Sequence, residues 1–144
     1  LLISRILSMG VDNPSLLTKL KIGSPRLVNN WWISYNLEHI GDNLKSISKI
    51  ITESNKKKES CNEFLRLAPN LRDFYNNSLG MFYDKTLDEK KALEFSNHGK
   101  KIWDELDNLA TSSKKPICTK MALKLKEIET STYQNIKMIL NSRC

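Results

Sequence analysis

The sequence predicts an all-α fold, an antiparallel helical bundle of about four to five helices. Three observations carry that prediction. Apolar residues recur at alternating spacings of three and four over long stretches, as in Ile33, Leu37, Ile40, Leu44, Ile47 and Ile51. Such spacing keeps one seam of a helix in a helix–helix core. Only 5 Gly and 4 Pro punctuate the 144 residues, so breaks are few. No stretch carries the alternating pattern of a strand.

The elements follow in order. Residues 1–9 read as the end of a helix closed by Gly10, and the chain opens on Leu1 rather than Met. An N-terminal part is therefore expected to be missing. Asp12-Asn13-Pro14-Ser15 is a turn leading into a short helical stretch over 15–21. Gly23-Ser24-Pro25 breaks the chain, with Ser24 as N-cap and Pro25 at the first helical position. A long helix is predicted over 25–55, followed by a charged connection at 56–59. The next helix, about 60–83, has a stripe of Phe64, Leu67, Leu71, Phe74, Tyr75 and Phe82. Pro69 should kink it or mark its true start. Near Asp84 two readings stand: a new helix opened by the capping-box sequence Thr86-Leu87-Asp88-Glu89, or one continuous rod. Ala92, Phe95, Gly99, Ile102, Leu106 and Leu109 form the next seam. Residues 111–116, Thr-Ser-Ser-Lys-Lys-Pro, are the clearest loop. The last helix, about 116–141, uses Met121, Leu125, Ile128, Ile136 and Ile139. Antiparallel helices with short loops and such seams assemble as a bundle, here one domain over 1–144.

Composition narrows the class. Hydrophobic residues make up 40% and charged residues 27%, as in ordinary soluble domains. No apolar run approaches the roughly 20 residues that span a bilayer, so no membrane insertion is expected. No secretory leader opens the chain. Cys61, Cys118 and Cys144 are odd in number and lack CxxC spacing. That argues against a disulfide framework and a thiolate zinc site, and for a reduced, cytoplasmic setting. His39 and His98 lie too far apart for a local metal motif. The net charge of +7 is spread through Lys56-Lys57-Lys58, Lys90-Lys91, Lys100-Lys101 and Lys114-Lys115. Such short blocks are solvated faces, or they meet an anionic partner, either nucleic acid or the headgroup side of a membrane complex.

The chemistry concentrates in Leu37-Glu38-His39-Ile40-Gly41-Asp42. Glu38 and Asp42 lie four residues apart, off the apolar seam, where like charges repel on a bare helix. They are either surface charges balanced by Lys45 and Lys49, or ligands of a cation, with acids from a second helix completing the set. Asp73, Asp84 and Asp88 are the candidate partners. Trp31 and Tyr35 share the face of Glu38 and Asp42, so they either pack under a neighbouring loop or form a contact surface for another domain or subunit.

Tyr35-Asn36-Leu37-Glu38-His39-Ile40-Gly41-Asp42-Asn43 resembles the signature of the PhoU phosphate-uptake regulator family, typically Leu-Glu-Arg-Ile-Gly-Asp-His. Ile47-Ser48-Lys49-Ile50 falls where the family continues with an Asn-Ile-Ala-Glu-like run. Arg5-Ile6-Leu7, Asp12 to Leu17 and Leu20-Lys21-Ile22 resemble the lead-in of archaeal members, and Asp88-Glu89-Lys90-Lys91-Ala92 the segment after the signature. Leu125-Lys126-Glu127-Ile128 onward resembles a degenerate second copy, with Ser131 where its second acid would stand. His39 replaces the usual Arg and Asn43 the usual His.

The resemblance implies a cytoplasmic, PhoU-type helical-bundle regulator, non-enzymatic, acting in phosphate uptake and phosphate-responsive signalling. It implies a metal ion, iron or zinc and in some arrangements multinuclear, with Mg or Ca as alternatives. Its ligands would be Glu38 and Asp42, with Asp84 and Asp88 as candidate partners and Glu127 in the second copy. The implied partners are the phosphate ABC transporter or an associated signalling protein, and further copies of the chain. DNA would be bound through a domain upstream of Leu1. The rival from another class is a basic helical nucleic-acid-binding or assembly module without metal.

Overall fold

The structure, a computed structural model, describes residues 25–142. Its elements are four helices: α1 Pro25–Lys56, α2 Asn62–Met81, α3 Glu89–Ser112 and α4 Pro116–Ser142. The readings over 1–9 and 15–21, and Ser24 as N-cap, lie outside the described residues.

Local chemistry explains most of the helix ends. Lys58 terminates α1 with a positive φ of 55°. Around it the Lys58 N–H donates to Asn55 O and the Glu59 N–H to Ser54 O, the paired bonds of a Schellman closure. The predicted stripe of α2 holds, and the helix runs through Pro69, so that proline does not mark its start. At residues 82–88 the chain breaks rather than continuing as a rod. Asp84 accepts from both the Thr86 N–H (2.8 Å) and the Thr86 hydroxyl (2.6 Å), a local turn that competes with helix. Thr86 is thereby engaged, and the cap of α3 is Asp88, which accepts from the Lys91 N–H at 2.8 Å. Residues 113–115 form the loop before Pro116, shorter than the predicted 111–116 because Thr111 and Ser112 complete α3 and Pro116 opens α4.

The helices alternate in direction. Asn36 meets Asn135 and His39 meets Glu127, so α1 and α4 are antiparallel. Arg66 meets Glu105 and Phe74 meets Phe95, which sets α2 against α3. Lys126 pairs with Asp107 at 2.7 Å, which sets α3 against α4. In this up-down-up-down order α2 and α4 are parallel, and their N-termini share one end of the bundle.

Helix α4 packs against all three others. Its buried residues therefore wrap well beyond the predicted stripe and include Cys118, Ala122, Glu129, Thr132 and Asn135. Along α1 the buried face is rotated from the predicted seam. Asn36 and Asn43 are buried between Ile33, Ile40 and Ile47, and Ser54 is buried two turns beyond them, while Leu44 is 54% exposed. Hydrogen bonding permits this. Asn36 Nδ2 donates to Asn135 Oδ1 at 2.9 Å, Asn43 Nδ2 to the His39 carbonyl at 3.0 Å, and the Ser54 hydroxyl to the Ile51 carbonyl at 2.9 Å. Leu44 instead lines an apolar groove of about 390 Å³ between α1 and α2, floored by Leu125 and Ile128 of α4.

Candidate functional site

The carboxylates singled out by their spacing stand on the outer face of α1. Glu38 and Asp42 are both exposed, and neither forms an ion pair among the described residues. Gly41 sits beside them with open space around the position a Cβ would take. A helix-interior glycine costs roughly 1 kcal/mol against alanine, and among the described residues no packing contact accounts for it.

The same face carries an aromatic row. Trp31 stacks on Tyr35 with centroids 5.8 Å apart, and Tyr35 on His39 at 6.3 Å with the rings 6° from parallel. Trp32 joins Trp31 edge-on at 4.7 Å. Tyr35 remains 47% exposed and Trp32 41%, so the row presents ring surface to solvent. It ends at a polar cleft of about 470 Å³ lined by His39, Trp103, Lys126, Glu127 and Gln134. There His39 Nε2 lies 3.7 Å from Glu127 Oε2, and the Lys126 ammonium sits 4.4 Å from the Trp103 ring centroid.

The other acids named from sequence are placed elsewhere. Asp73 pairs with Arg72 at 3.4 Å. Asp84 is held by Thr86, whose hydrogen bonds keep its carboxyl below the usual range, and lies 3.5 Å from Lys91. Asp88 caps α3. Glu127 meets His39, and Ser131 is buried. Among the described residues no third acid, histidine or cysteine joins Glu38 and Asp42 within reach of a common ion.

Two features escaped sequence reasoning. Glu129 is 5% exposed, and its carboxylate oxygen lies 2.7 Å from where a Cβ on Gly99 would sit. Burial pushes its carboxyl up to about 7. The second feature corrects the cysteine reading: Cys61 and Cys118 are joined as a disulfide, Cα atoms 5.4 Å apart across a sequence separation of 57. An odd cysteine count without CxxC spacing says nothing about pairs that folding brings together, and the parallel course of α2 and α4 does so here. With that bond present, cysteine usage no longer speaks for a reducing setting. Glu63 Oε2 lies 3.5 Å from Cys61 Sγ and 3.7 Å from Cys118 Sγ. These three are the described residues whose donor atoms gather closely enough for one metal ion.

No helix among the described residues is long and apolar enough to cross a membrane. Comparison with protein-family models, with curated proteins and with solved structures finds no match to this chain.

Proposed function

We propose that this chain is a regulatory, non-catalytic helical bundle of the PhoU type, acting in the cytoplasm on phosphate uptake and phosphate-responsive signalling. The observation that carries this reading is the Glu38–Gly41–Asp42 arrangement. Two carboxylates one turn apart stand exposed and, among the described residues, without ion pairs, beside a glycine that no described residue packs against. That leaves coordination positions open to solvent and to acids from a partner. Iron or zinc is the ion the resemblance implies, and carboxylates alone also suit Mg or Ca. The exposed Trp32 and Tyr35 rings, with the half-buried Trp31 stacked on Tyr35, give a contact surface on the same helix, suited to a further copy of the chain, the phosphate transporter or its signalling partner.

The test is metal content and iron or zinc titration of the disulfide form, beside the Glu38→Ala/Asp42→Ala variant. Working with the disulfide form, with Cys144→Ser in both proteins, keeps thiolates out of the measurement. The wild type should bind, and the variant should bind at least about ten-fold more weakly with its stability unchanged, both side chains being exposed. Equal and negligible binding in both sinks the proposal.

One observation favours a second reading. The stacked row Trp31–Tyr35–His39, on a chain of net charge +7, has the makings of a base-stacking platform for single-stranded nucleic acid. Steep loss of oligonucleotide affinity with salt, weakened by Tyr35→Ala and indifferent to Glu38 and Asp42, would favour it over the regulator.

A further inference from the structure

Cys61 is the N-cap of α2, and its side chain makes no capping hydrogen bond. Cys118 lies in the first turn of α4 and Glu63 in the first turn of α2. The two cysteines are buried, at 6% and 1% exposure, and Glu63 brings a carboxylate oxygen to within 3.7 Å of both sulfurs. All three donor atoms lie within 4.8 Å of one another.

A carboxylate in this position has no partner in the bonded sulfurs, because a disulfide carries no hydrogen to donate. Reduction changes that. The pair becomes two thiols, or two thiolates favoured by the positive ends of two parallel helices. A second and a third negative charge beside Glu63 then call for a cation. Two thiolates and one carboxylate are a soft-leaning donor set that selects zinc among common divalent ions. With three protein ligands, the fourth tetrahedral position is left to water.

We infer that Cys61, Cys118 and Glu63 form a redox-gated zinc site, closed as a disulfide when oxidised and open to one Zn²⁺ when reduced. The chemistry balances with an external dithiol as reductant. Thiol–disulfide exchange breaks the Cys61–Cys118 bond and leaves two thiols, while the dithiol takes up the disulfide. Zinc then binds both sulfurs as thiolates and releases two protons to solvent, with Glu63 as third ligand. In both states α2 stays tied to α4 at this end of the bundle, by a covalent link in one and a coordinate link in the other. In the disulfide form the Lys115 ammonium, donating to the Ser60 carbonyl at 3.4 Å, joins the same two connections. This inference is independent of the Glu38–Asp42 proposal.

The test uses Co²⁺ as a spectroscopic substitute on the 144-residue chain carrying Cys144→Ser, so that one cysteine pair remains. After reduction with a phosphine and its removal, Co²⁺ should give a sulfur-to-cobalt charge-transfer band at one equivalent, which Zn²⁺ then abolishes. The disulfide form should show no band. Cys118→Ser should lose it, and Glu63→Gln should keep the band but bind roughly ten-fold or more weakly. Absence of the band in the reduced chain overturns the inference, as does an undiminished band in Cys118→Ser. If Cys118→Ser fails to fold by circular dichroism, Glu63→Gln decides, since Glu63 is exposed and its substitution leaves the core intact. Unchanged Co²⁺ affinity there overturns the three-ligand site.

Discussion

Glu129 shows how one buried group can set the pH dependence of a bundle. It is 5% exposed on α4 and makes no hydrogen bond or ion pair among the described residues, so ionising it there is unfavourable. Its carboxyl is pushed up from 4.5 to about 7 by that burial. Between those two values the native state holds more proton than the unfolded chain. Stability therefore falls as pH rises through that window and stays lower above it. Glu129→Gln keeps the shape and removes the ionisation. The variant should be more stable than wild type by about 2 kcal/mol at pH 8 and indistinguishable near pH 4. Urea unfolding at the two pH values checks this, and a gain of the same size at both would mean packing rather than charge. Glu129 was not legible in the sequence because α4 packs against three helices, so its exposed back narrows to one strip, Lys120, Leu123, Glu127, Thr130, Gln134 and Lys137, and Glu129 falls outside it. Being central, it buries Glu129, Ser131, Thr132 and Asn135 as well as its isoleucines.

At the scale of the element, the legible features were those that local chemistry decides. Pro25 and Pro116 open helices at their first positions. The α3 seam of Phe95, Gly99, Ile102, Leu106 and Leu109 is buried as its spacing required. Less legible was which of two adjacent faces of α1 turns inward, because Asn36 and Asn43 are buried by partners that hydropathy does not encode. The two helical glycines separate propensity from packing. A Cβ at Gly99 would lie 2.6 Å from Phe74 Cζ and 2.7 Å from Glu129 Oε1. Phe74 is fully buried and stacked on Phe95 at 4.1 Å, so it has nowhere to move. Gly99→Ala should cost about 1–3 kcal/mol, as overpacking does, despite the better helix former. Gly41→Ala meets nothing within 4 Å and should gain about 0.5–1 kcal/mol. Chemical denaturation of both variants checks the opposite signs. Matching signs would show that the α2–α3–α4 junction is looser than these distances say.

For the whole molecule the deciding feature is the link between distant parts of the chain. Seams and loops are local and could be read in order. The meeting of Cys61 with Cys118 depends on α2 and α4 running parallel, a consequence of topology. The bond closes a loop containing α2 and α3 complete, whereas α1 lies outside that loop and is held by its face on α4. Restricting the unfolded chain over a separation of 57 residues contributes about 4 kcal/mol by loop entropy. Reduction in the absence of metal should therefore lower the unfolding free energy by that order. The dependence on denaturant should steepen, because the released chain exposes more surface when unfolded. Paired urea titrations of the oxidised and reduced full chain, with a chelator present, measure both quantities. Adding zinc to the reduced chain should restore part of the loss, since a ligand that binds the native state alone stabilises it by mass action. A reduced chain as stable as the oxidised one, with the same denaturant slope, would mean that the helix packing around α4 holds the bundle without the covalent link.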